Sequence, residues 1–355
     1  MIGRFIPAYR TRPKRRVILS PRFYFFDVGI VNFLLKRGSI APKNEAIGRA
    51  FEHLKCVTSM VAATLRMNFE MTKVYNQCDS SRGVMRKMAL THSLLAQYAR
   101  QAEKAAQQAG SLLAPLLGQP KTVKTKRSAI DLVTELDKNS EQIIYRILMQ
   151  ACPGSDFLGE ERGGNRNGSP LRWIVDPLDG TMNFVHGLPL FGVSIALEYQ
   201  SRIVVGVTYD PIRREMFTAV KNRGAFLNGR RIHVSKTHRL SQSLLSSGFS
   251  AKFRTHAAPY LAWFEAFESR SHAVRRIGTT VLCLAYVACG RMEGFYEKDL
   301  WPWDIAAGML LVEEAGGRVT NFKGQAPSLA QGQLVASNRH IHSAMLRVLQ
   351  NALSS

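Results

Sequence analysis

The sequence of 355 residues predicts a layered α/β sandwich, and three observations lead to this fold class. Apolar residues recur every three or four positions between Leu94 and Ala109, which is the pattern of an amphipathic helix. Strand-like runs then occupy much of residues 172–220. The pair Asn228-Gly229, between two short apolar runs, is typical of a β-hairpin turn. Helices combined with mainly antiparallel strands bury their apolar faces by stacking in layers.

The elements follow in order from residue 88. The first helix presents one apolar face, and we expect Gly110 and Pro115 to end it. A second helix is expected after Asp137, with Ile143, Ile144 and Ile147 on one face. Strands are then expected over residues 172–175, 192–198, 203–209 and 215–220, followed by a hairpin pairing 225–227 with 231–234 and a final helix near 340–353.

The composition excludes several classes of protein. Hydrophobic residues make up 46% of the chain and charged residues 21%, so we exclude a disordered chain and a collagen. No run approaches eighteen consecutive apolar residues, so we expect no membrane-spanning helix. The basic N-terminus is followed by no apolar signal core. The 5 cysteines are odd in number and include no CxxC pair, which argues against a disulfide framework and a zinc site. We therefore expect a cytoplasmic protein.

The positive charge is concentrated at the front of the chain. Residues 1–127 contain 23 Lys and Arg against 6 Asp and Glu, whereas residues 128–355 contain 25 against 20. We divide the chain into a basic N-terminal extension, residues 1–87, and a domain formed by residues 88–355. Within the extension, residues 22–54 weakly resemble a fragment of the C-terminal domain of bacterial AAA-type ATPases. Because the chain has no GxxxxGK[ST] loop, we interpret this stretch as a fused fragment rather than part of an ATPase.

Four acidic motifs follow one another in the domain. They are DLVTELD (131–137), GEE (159–161), WIVDPLDGTMNF (173–184) and WPWDIAAG (301–308). In the third, an apolar strand delivers Asp176 at its end, and Asp179 lies three residues further on. Two carboxylates so close together repel unless a cation lies between them. Oxygen ligands without a nearby Cys or His favour a hard cation such as Mg²⁺. Taken alone, however, DPLDG is also compatible with a simple turn that caps a helix.

Together and in this order, the four motifs resemble the inositol monophosphatase family over about residues 88–355. The resemblance implies an αβαβα sandwich with mainly antiparallel sheets. It also implies hydrolysis of a myo-inositol monophosphate by metal-activated water attack, with two Mg²⁺ ions and room for a third, weaker ion near Glu160. One ion would be held by Glu160, Asp176 and the carbonyl of Leu178, and the other by Asp176, Asp179 and Asp304.

The resemblance implies roles for further residues as well. Asp137 and Thr181 match positions that orient the attacking water, and Glu160 is counted with them as a catalytic group. The substrate would be contacted by Asp179, Gly180, Thr181, Gly278, Thr279 and Glu297. Glu297 follows a strand-like run, so a surface acid without a function is the alternative for this residue. We interpret Asp131 as local turn chemistry.

Two other functions stay open at this point. The residues after DGT lack the Lys-Glu and Lys-Ser pairs of two neighbouring phosphatase branches, which favours the inositol phosphatase type. Fructose-1,6-bisphosphatase or another sugar-phosphate activity nevertheless remains an alternative. In a different class, clustered Lys and Arg neutralise phosphates, so the basic front is compatible with a nucleic-acid or transcription-machinery binding protein. As partners we expect a small phosphorylated polyol and a second copy of the chain in a homodimer, with no membrane and no nucleic acid as the main ligand.

Overall fold

The computed structural model describes residues 90–118, 123–125, 132–165 and 168–352. The predictions for residues 1–87, including the ATPase-like fragment, fall outside these ranges, as does Asp131. The division of the chain into an extension and a domain therefore stays a prediction.

The described residues form seven α-helices and fifteen strands. The α-helices are α1 (His92–Leu113), α2 (Glu135–Ala151), α3 (Thr181–Val185), α4 (Ala257–Glu268), α5 (Thr280–Ala288), α6 (Pro302–Glu314) and α7 (His342–Asn351). The first eight strands are β1 (Val123–Thr125), β2 (Leu132–Thr134), β3 (Asp156–Gly159), β4 (Gly163–Asn165), β5 (Leu171–Asp179), β6 (Gly192–Tyr199), β7 (Arg202–Asp210) and β8 (Glu215–Val220). They are followed by β9 (Gly224–Leu227), β10 (Arg230–Ile232), β11 (Leu244–Ser247), β12 (Ala273–Arg275), β13 (Gly294–Lys298), β14 (Arg318–Thr320) and β15 (Gln333–Ser337).

Two larger sheets organise these elements. The first has the strand order β10-β9-β8-β7-β6-β5-β3-β4 and is antiparallel except where β3 pairs with β5. The second has the order β12-β11-β13-β15-β14, and β11 runs parallel to both of its neighbours. The short strands β1 and β2 form a separate pair. The prediction of mainly antiparallel sheets is confirmed.

The helices form three layers around the two sheets. Helices α1 and α2 cover one face of the larger sheet, and α5 and α6 pack between the two sheets. Helices α4 and α7 cover the outer face of the smaller sheet. Side chains alternate accordingly along β13, where Phe295 faces the middle layer and Tyr296 the outer one. Strands covered on both faces are apolar throughout, which explains the continuous apolar runs in the sequence. The predicted αβαβα sandwich is confirmed.

Two helix boundaries differ from the predictions. Helix α1 continues through Gly110 and ends just before Pro115. Gly110 is a packing position, because a Cβ there would lie 2.6 Å from the ring of Tyr209 on β7. Helix α2 begins at Glu135, so Asp137 lies within its first turn instead of preceding it.

Helix α6 lies unusually close to the larger sheet. A Cβ added to Gly206 on β7 would lie 2.7 Å from the carbonyl oxygen of Ala307 and 3.1 Å from its Cα. Glycine is therefore needed at position 206, and it fixes the depth at which α6 sits on the sheet.

One further observation concerns membranes. None of the helices in the described ranges is both long enough and apolar enough to cross a bilayer.

Candidate active site

Asp176 lies at the centre of a group of carboxylates at the end of β5. It is only 1% exposed, and its Oδ1 accepts a hydrogen bond from the N–H of Leu178 at 3.0 Å. Burial raises the pKa of Asp176 well above its ordinary value, and neighbouring negative charges raise it further. These charges belong to Glu160, Asp179, Asp304 and Asp137, in that order of effect. Carboxylates from all four acidic motifs thus share one electrostatic environment.

A bulge in β5 allows Asp176 and Asp179 to act together. Residues three apart on a regular strand point to opposite faces, but the register with β6 shifts between these two residues. Pro177 within the bulge has no N–H to pair, and its carbonyl accepts a hydrogen bond from Ser140 on α2 at 3.0 Å. The DPLD sequence therefore produces the irregularity that the site requires.

Asp179 joins β5 to the start of α5. Its Oδ2 accepts hydrogen bonds from the hydroxyl of Thr279 at 2.7 Å and from the N–H of Val281 at 2.8 Å. Burial raises the pKa of Asp179, and these donors act in the opposite direction. The predicted substrate residues Asp179 and Thr279 are therefore in direct contact.

Asp304 reaches the cluster from the middle layer. It lies in the first turn of α6, after Pro302, where the helix dipole favours a carboxylate. Its Oδ2 accepts a hydrogen bond from the N–H of Trp301 at 2.7 Å, which satisfies a backbone donor at the start of the helix. Burial, followed by the charge of Asp179, raises the pKa of Asp304 well above its ordinary value. Trp301 is 48% exposed and stacks on Trp303, with ring centres 5.4 Å apart.

The turn after β5 brings three other predicted residues together. Gly180 has a φ of +91°, and a Cβ there would lie 2.9 Å from the carbonyl oxygen of Leu190. Thr181 begins α3, and its hydroxyl donates to the carbonyl of Leu178 at 3.0 Å. The carbonyl predicted to bind an ion and the hydroxyl predicted to orient water are thus in contact.

The remaining predicted residues enter from the neighbouring elements. Asp137 is buried in the first turn of α2, and its charge contributes to the raised pKa of Asp176. Glu160 follows β3, and its N–H donates to the carbonyl of Val175 at 3.3 Å. Gly278 precedes Thr279, and the side chain of Asn183 on α3 ties this segment to the site by donating to the carbonyl of Ile277 at 2.8 Å.

A cavity of about 370 Å³ adjoins the carboxylates. Glu297 lines it, is only 9% exposed, and accepts a hydrogen bond from the hydroxyl of Thr280 at 3.3 Å. Burial and then the charge of Asp179 raise the pKa of Glu297 to about 8. Glu297 lies within β13, so the alternative of a surface acid is wrong. The other residues lining the cavity are Asp179, Ser247, Gly248, Phe249, Arg276, Gly278, Thr279, Thr280 and Cys283.

The donor set fits a hard divalent cation, although its oxygens do not converge in a closed cage. In the part of the chain that the structure describes, no three acidic, His or Cys side chains form a ready metal group. Asp176, Asp179 and Asp304 each turn one oxygen toward a protein donor, and each carboxylate has a second oxygen. No described lysine or arginine forms a salt bridge with any of these three aspartates. Crowded oxygen donors whose pKa values are raised favour binding of a cation such as Mg²⁺.

Comparison with known proteins identifies the family. The model of the inositol monophosphatase family matches residues 94–354. The chain belongs to this family. It is accordingly an enzyme of a phosphatase family, and proteins of this family are generally metal-dependent.

Similar proteins of the inositol monophosphatase family carry two kinds of name. The chain is 42% identical to an inositol-1-monophosphatase of Mesorhizobium japonicum over 71% of its own length and 96% of that protein. It is also 42% identical to the Nus factor SuhB of Pseudomonas aeruginosa, over 70% of its own length and 93% of that protein. Among solved structures, the SuhB protein of Bartonella henselae has a TM-score of 0.68 and 42% identity, covering 71% of this chain and 97% of that one.

Two residues near the site were not predicted from the sequence. Thr280 follows the predicted Thr279, and only the packing of α5 against β13 shows that its hydroxyl reaches Glu297. Glu141 is buried on α2 four residues after Asp137. That spacing, which places both residues on one helix face, was a signal available in the sequence.

Proposed function

We propose that this chain hydrolyses the phosphomonoester of myo-inositol monophosphate in a Mg²⁺-dependent reaction. The observation that carries the proposal is the group of carboxylates around Asp176 next to the cavity lined by Thr279 and Glu297. The first part supplies ligands for cations, and the second offers polar groups to a substrate rich in hydroxyls. The name of the Mesorhizobium japonicum relative supports this choice of substrate.

The proposed ligands divide into two groups. Glu160, Asp176 and the carbonyl of Leu178 would hold one Mg²⁺, and Asp176, Asp179 and Asp304 the other, with room for a third ion near Glu160. Bound Mg²⁺ supplies Lewis-acid activation of water and neutralises charge on the phosphate. Because Asp176 is shared, both groups depend on it.

The chain's own residues would position the reactants. We assign Asp137 and Thr181 to holding the attacking water in line with the phosphorus atom. Gly180 and Thr181 offer backbone N–H groups to the phosphate, while Gly278 and Thr279 border the polyol. Glu297 would accept hydrogen bonds from the polyol hydroxyls.

The proposal is tested by measuring the inorganic phosphate that the purified full-length chain releases from added substrates. We expect Mg²⁺-dependent turnover of myo-inositol 1-phosphate that EDTA abolishes, and a lower kcat/KM for fructose 1,6-bisphosphate. The Asp176→Asn variant is the matched negative control for a contaminating phosphatase. A higher kcat/KM for fructose 1,6-bisphosphate than for myo-inositol 1-phosphate would favour the sugar-phosphate alternative as the substrate. No turnover of either substrate would refute the proposal.

A transcription role is the second candidate, and a specific observation favours it. Similar proteins from Pseudomonas aeruginosa and Escherichia coli are named Nus factor SuhB. Fluorescence anisotropy with a labelled single-stranded RNA would compare the full chain with a chain that begins at residue 88. Salt-dependent affinity that disappears with residues 1–87 would support nucleic-acid binding by the basic front. Absence of salt-dependent affinity for the RNA would refute nucleic-acid binding by residues 1–87.

Assembly and location complete the proposal. We propose a homodimer in the cytoplasm, whose mass can be measured by light scattering after size-exclusion chromatography. A monomer at micromolar concentration would refute the dimer.

A further inference from the structure

Helix α2 places a second buried carboxylate, that of Glu141, under the turn that carries Glu160. Glu141 is only 1% exposed and lies one helical turn after Asp137. Residues four apart on a helix share a face, so Glu141 points toward the same side of the larger sheet as Asp137. The proposed function gives Glu141 no role.

The carboxylate of Glu141 contacts the residues on both sides of Glu160, which are Gly159 and Glu161. Its Oε1 accepts a hydrogen bond from the N–H of Glu161 at 3.0 Å. On the other side, a Cβ added to Gly159 would overlap the same oxygen, so the carboxylate occupies the space that only glycine leaves free. This contact explains the glycine at the start of the GEE motif.

Further contacts hold the turn at residues 159–162 in place. The guanidinium of Arg162 donates to the side-chain oxygen of Gln142 at 2.7 Å and lies 4.2 Å from the ring centre of Tyr145, both on α2. From the opposite side, the N–H of Glu160 donates to the carbonyl of Val175, the residue before Asp176. Glu160 is therefore held between α2 and the strand that carries the central carboxylate of the site.

The cost of burying Glu141 argues for more than ordinary packing. Its Oε2 is buried and has no hydrogen-bond partner among the described residues. Burial raises the pKa of Glu141 to about 7, and the amides of Glu161 and Arg162 act against that rise. A buried acid with one unsatisfied oxygen destabilises a protein, so packing alone would favour an apolar side chain here. A carboxylate, in contrast, makes stronger hydrogen bonds to backbone amides than a neutral acceptor does.

We propose that Glu141 is a positioning residue that fixes the turn at residues 159–162 so that Glu160 is held ready to bind Mg²⁺. The inference rests on the proposed function, because Glu160 is a ligand only if that proposal is right. Groups that orient metal ligands through hydrogen bonds typically change metal affinity by about 10- to 100-fold when they are removed. Glu141 acts here through the backbone of the turn instead of through the ligand side chain.

Three variants of the full-length chain test this role. Glu141→Leu removes the acceptor while keeping the apolar bulk, and Glu141→Gln keeps an oxygen at the same reach. Gln142→Ala is the matched control, since it releases Arg162 but leaves the hydrogen bond to Glu161 intact. Mg²⁺ affinity is measured by isothermal titration calorimetry, thermal unfolding in EDTA reports the fold, and KM is measured at saturating Mg²⁺.

We expect Glu141→Leu to weaken Mg²⁺ binding by about tenfold or more, with the KM for substrate unchanged once Mg²⁺ is saturating. Glu141→Gln should restore most of the affinity, and Gln142→Ala should bind Mg²⁺ like the wild type. If Glu141→Leu does not fold, Glu141→Asp replaces it, because a carboxylate shorter by one methylene cannot reach the amide. Its affinity should then fall below that of Glu141→Gln.

The opposing results are distinct. A folded Glu141→Leu chain with wild-type Mg²⁺ affinity would overturn the inference and leave the proposed function intact. Equal losses in Glu141→Leu and Gln142→Ala would also overturn it, because general loosening of the turn would then explain both. A wild-type chain that binds no Mg²⁺ would instead overturn the proposed function, and this inference with it.

Discussion

The side chain of Asp176 is surrounded by four other carboxyl groups, and this crowding determines how substitutions in the site should behave. Each neighbouring negative charge makes ionisation of Asp176 more costly, and a divalent cation removes that cost. Residues that share the cation should therefore differ in behaviour from residues that only touch the reactants.

Replacing Asp176 and Thr181 separates these two classes. Asp176→Asn should weaken Mg²⁺ binding and lower kcat together, each by about 100-fold or more, because it removes a shared ligand. Thr181→Ala should leave Mg²⁺ affinity unchanged and lower kcat by about 10²-fold or more, as expected for loss of a group that orients water. Calorimetry and steady-state kinetics give the two quantities. Unchanged Mg²⁺ affinity in Asp176→Asn would contradict its assignment.

Glu297 provides a test of substrate selection. Glu297→Gln should raise the KM for myo-inositol 1-phosphate by about tenfold, because a charge-assisted hydrogen bond contributes about 1.5–3 kcal/mol. Hydrolysis of an aryl phosphate, which has no hydroxyls to place, serves as the control and should change little. Since the pKa of Glu297 is raised to about 8, its carboxylate form becomes dominant only above that pH. The advantage of the wild type should therefore grow from pH 7 to pH 9. Equal losses for both substrates would make Glu297 a structural residue.

The sequence motifs predicted the carboxylates of the site but not the residues that hold them in place. Asp176 and Asp179 could be recognised because a strand, a proline and a glycine surround them within a few positions. The spacing of Glu141 from Asp137 indicated a shared helix face, but the contacts of Glu141 and Thr280 could not be predicted, because their partners lie 20 and 17 residues away along the chain. Such contacts depend on how α2 and α5 cross the strands, which local patterns do not determine.

A buried imidazole at the start of helix α7 forms hydrogen bonds with the smaller sheet. Nε2 of His342 lies 2.9 Å from the hydroxyl of Thr320 on β14, and Nδ1 lies 2.8 Å from the hydroxyl of Ser337 on β15. The side chain is fully buried, and burial, followed by the charge of Arg318, lowers its pKa to about 4. A neutral ring can donate to one hydroxyl and accept from the other.

This element should make stability depend on pH. Because the pKa of His342 is lower in the folded chain than its ordinary 6.5, the unfolded chain takes up a proton first as the pH falls. The contribution of neutral His342 to the free energy of unfolding is complete above pH 6.5 and is lost as the pH falls toward 4. Relative to His342→Gln, the wild type should lose about 3 kcal/mol of unfolding free energy between pH 7 and pH 4. Urea unfolding at several pH values measures this difference. Parallel pH curves for the two proteins would contradict the assignment.

Among the secondary-structure elements, those determined by local patterns were predicted most accurately. The hairpin at Asn228-Gly229 and the strand over Glu215–Val220 were predicted correctly, because turn chemistry and apolar runs are local. The end of α1 was predicted wrongly at Gly110. The benefit of close packing against Tyr209 outweighs the low helix propensity of glycine there, and that contact lies 99 residues away.

For the whole molecule, the main question is what the first 87 residues contribute. The family model begins to match at residue 94, and the carboxylates of the site all come from residues after that point. The described residues, which begin at Leu90, form the apolar cores between the layers.

A chain that begins at residue 88 should therefore keep Mg²⁺-dependent phosphatase activity. We expect its kcat/KM to stay within a factor of about two of the full chain, because none of the proposed ligands or substrate contacts is removed. Circular dichroism and phosphate release on both proteins provide the comparison. An unfolded or inactive shortened chain would show that the front residues belong to the catalytic domain.

The position of the site within the layers was beyond sequence analysis. Asp176 and Asp179 come from the larger sheet, whereas Asp304 comes from the helical layer beside it. Asp179 and Asp304 are 125 residues apart along the chain and come together only because α6 packs across β5, β6 and β7. The order of the motifs identified the family, but their distances depend on interlayer packing.

The close approach of α6 to Gly206 has a consequence for the choice of ion. Asp304 lies one helical turn before Ala307, so the depth at which the helix sits also sets how far its carboxylate reaches. Oxygen ligands lie at about 2.0–2.1 Å from Mg²⁺ and about 2.3–2.6 Å from Ca²⁺. A methyl group at position 206 must push backbone atoms of α6 outward by a comparable few tenths of an ångström. Gly206→Ala should therefore shift the ratio of Mg²⁺ to Ca²⁺ affinity toward Ca²⁺, which competition calorimetry can measure. An unchanged ratio would mean that α6 does not set the size of the site. Through this glycine on a distant strand, the packing of the layers would select a cation by its radius.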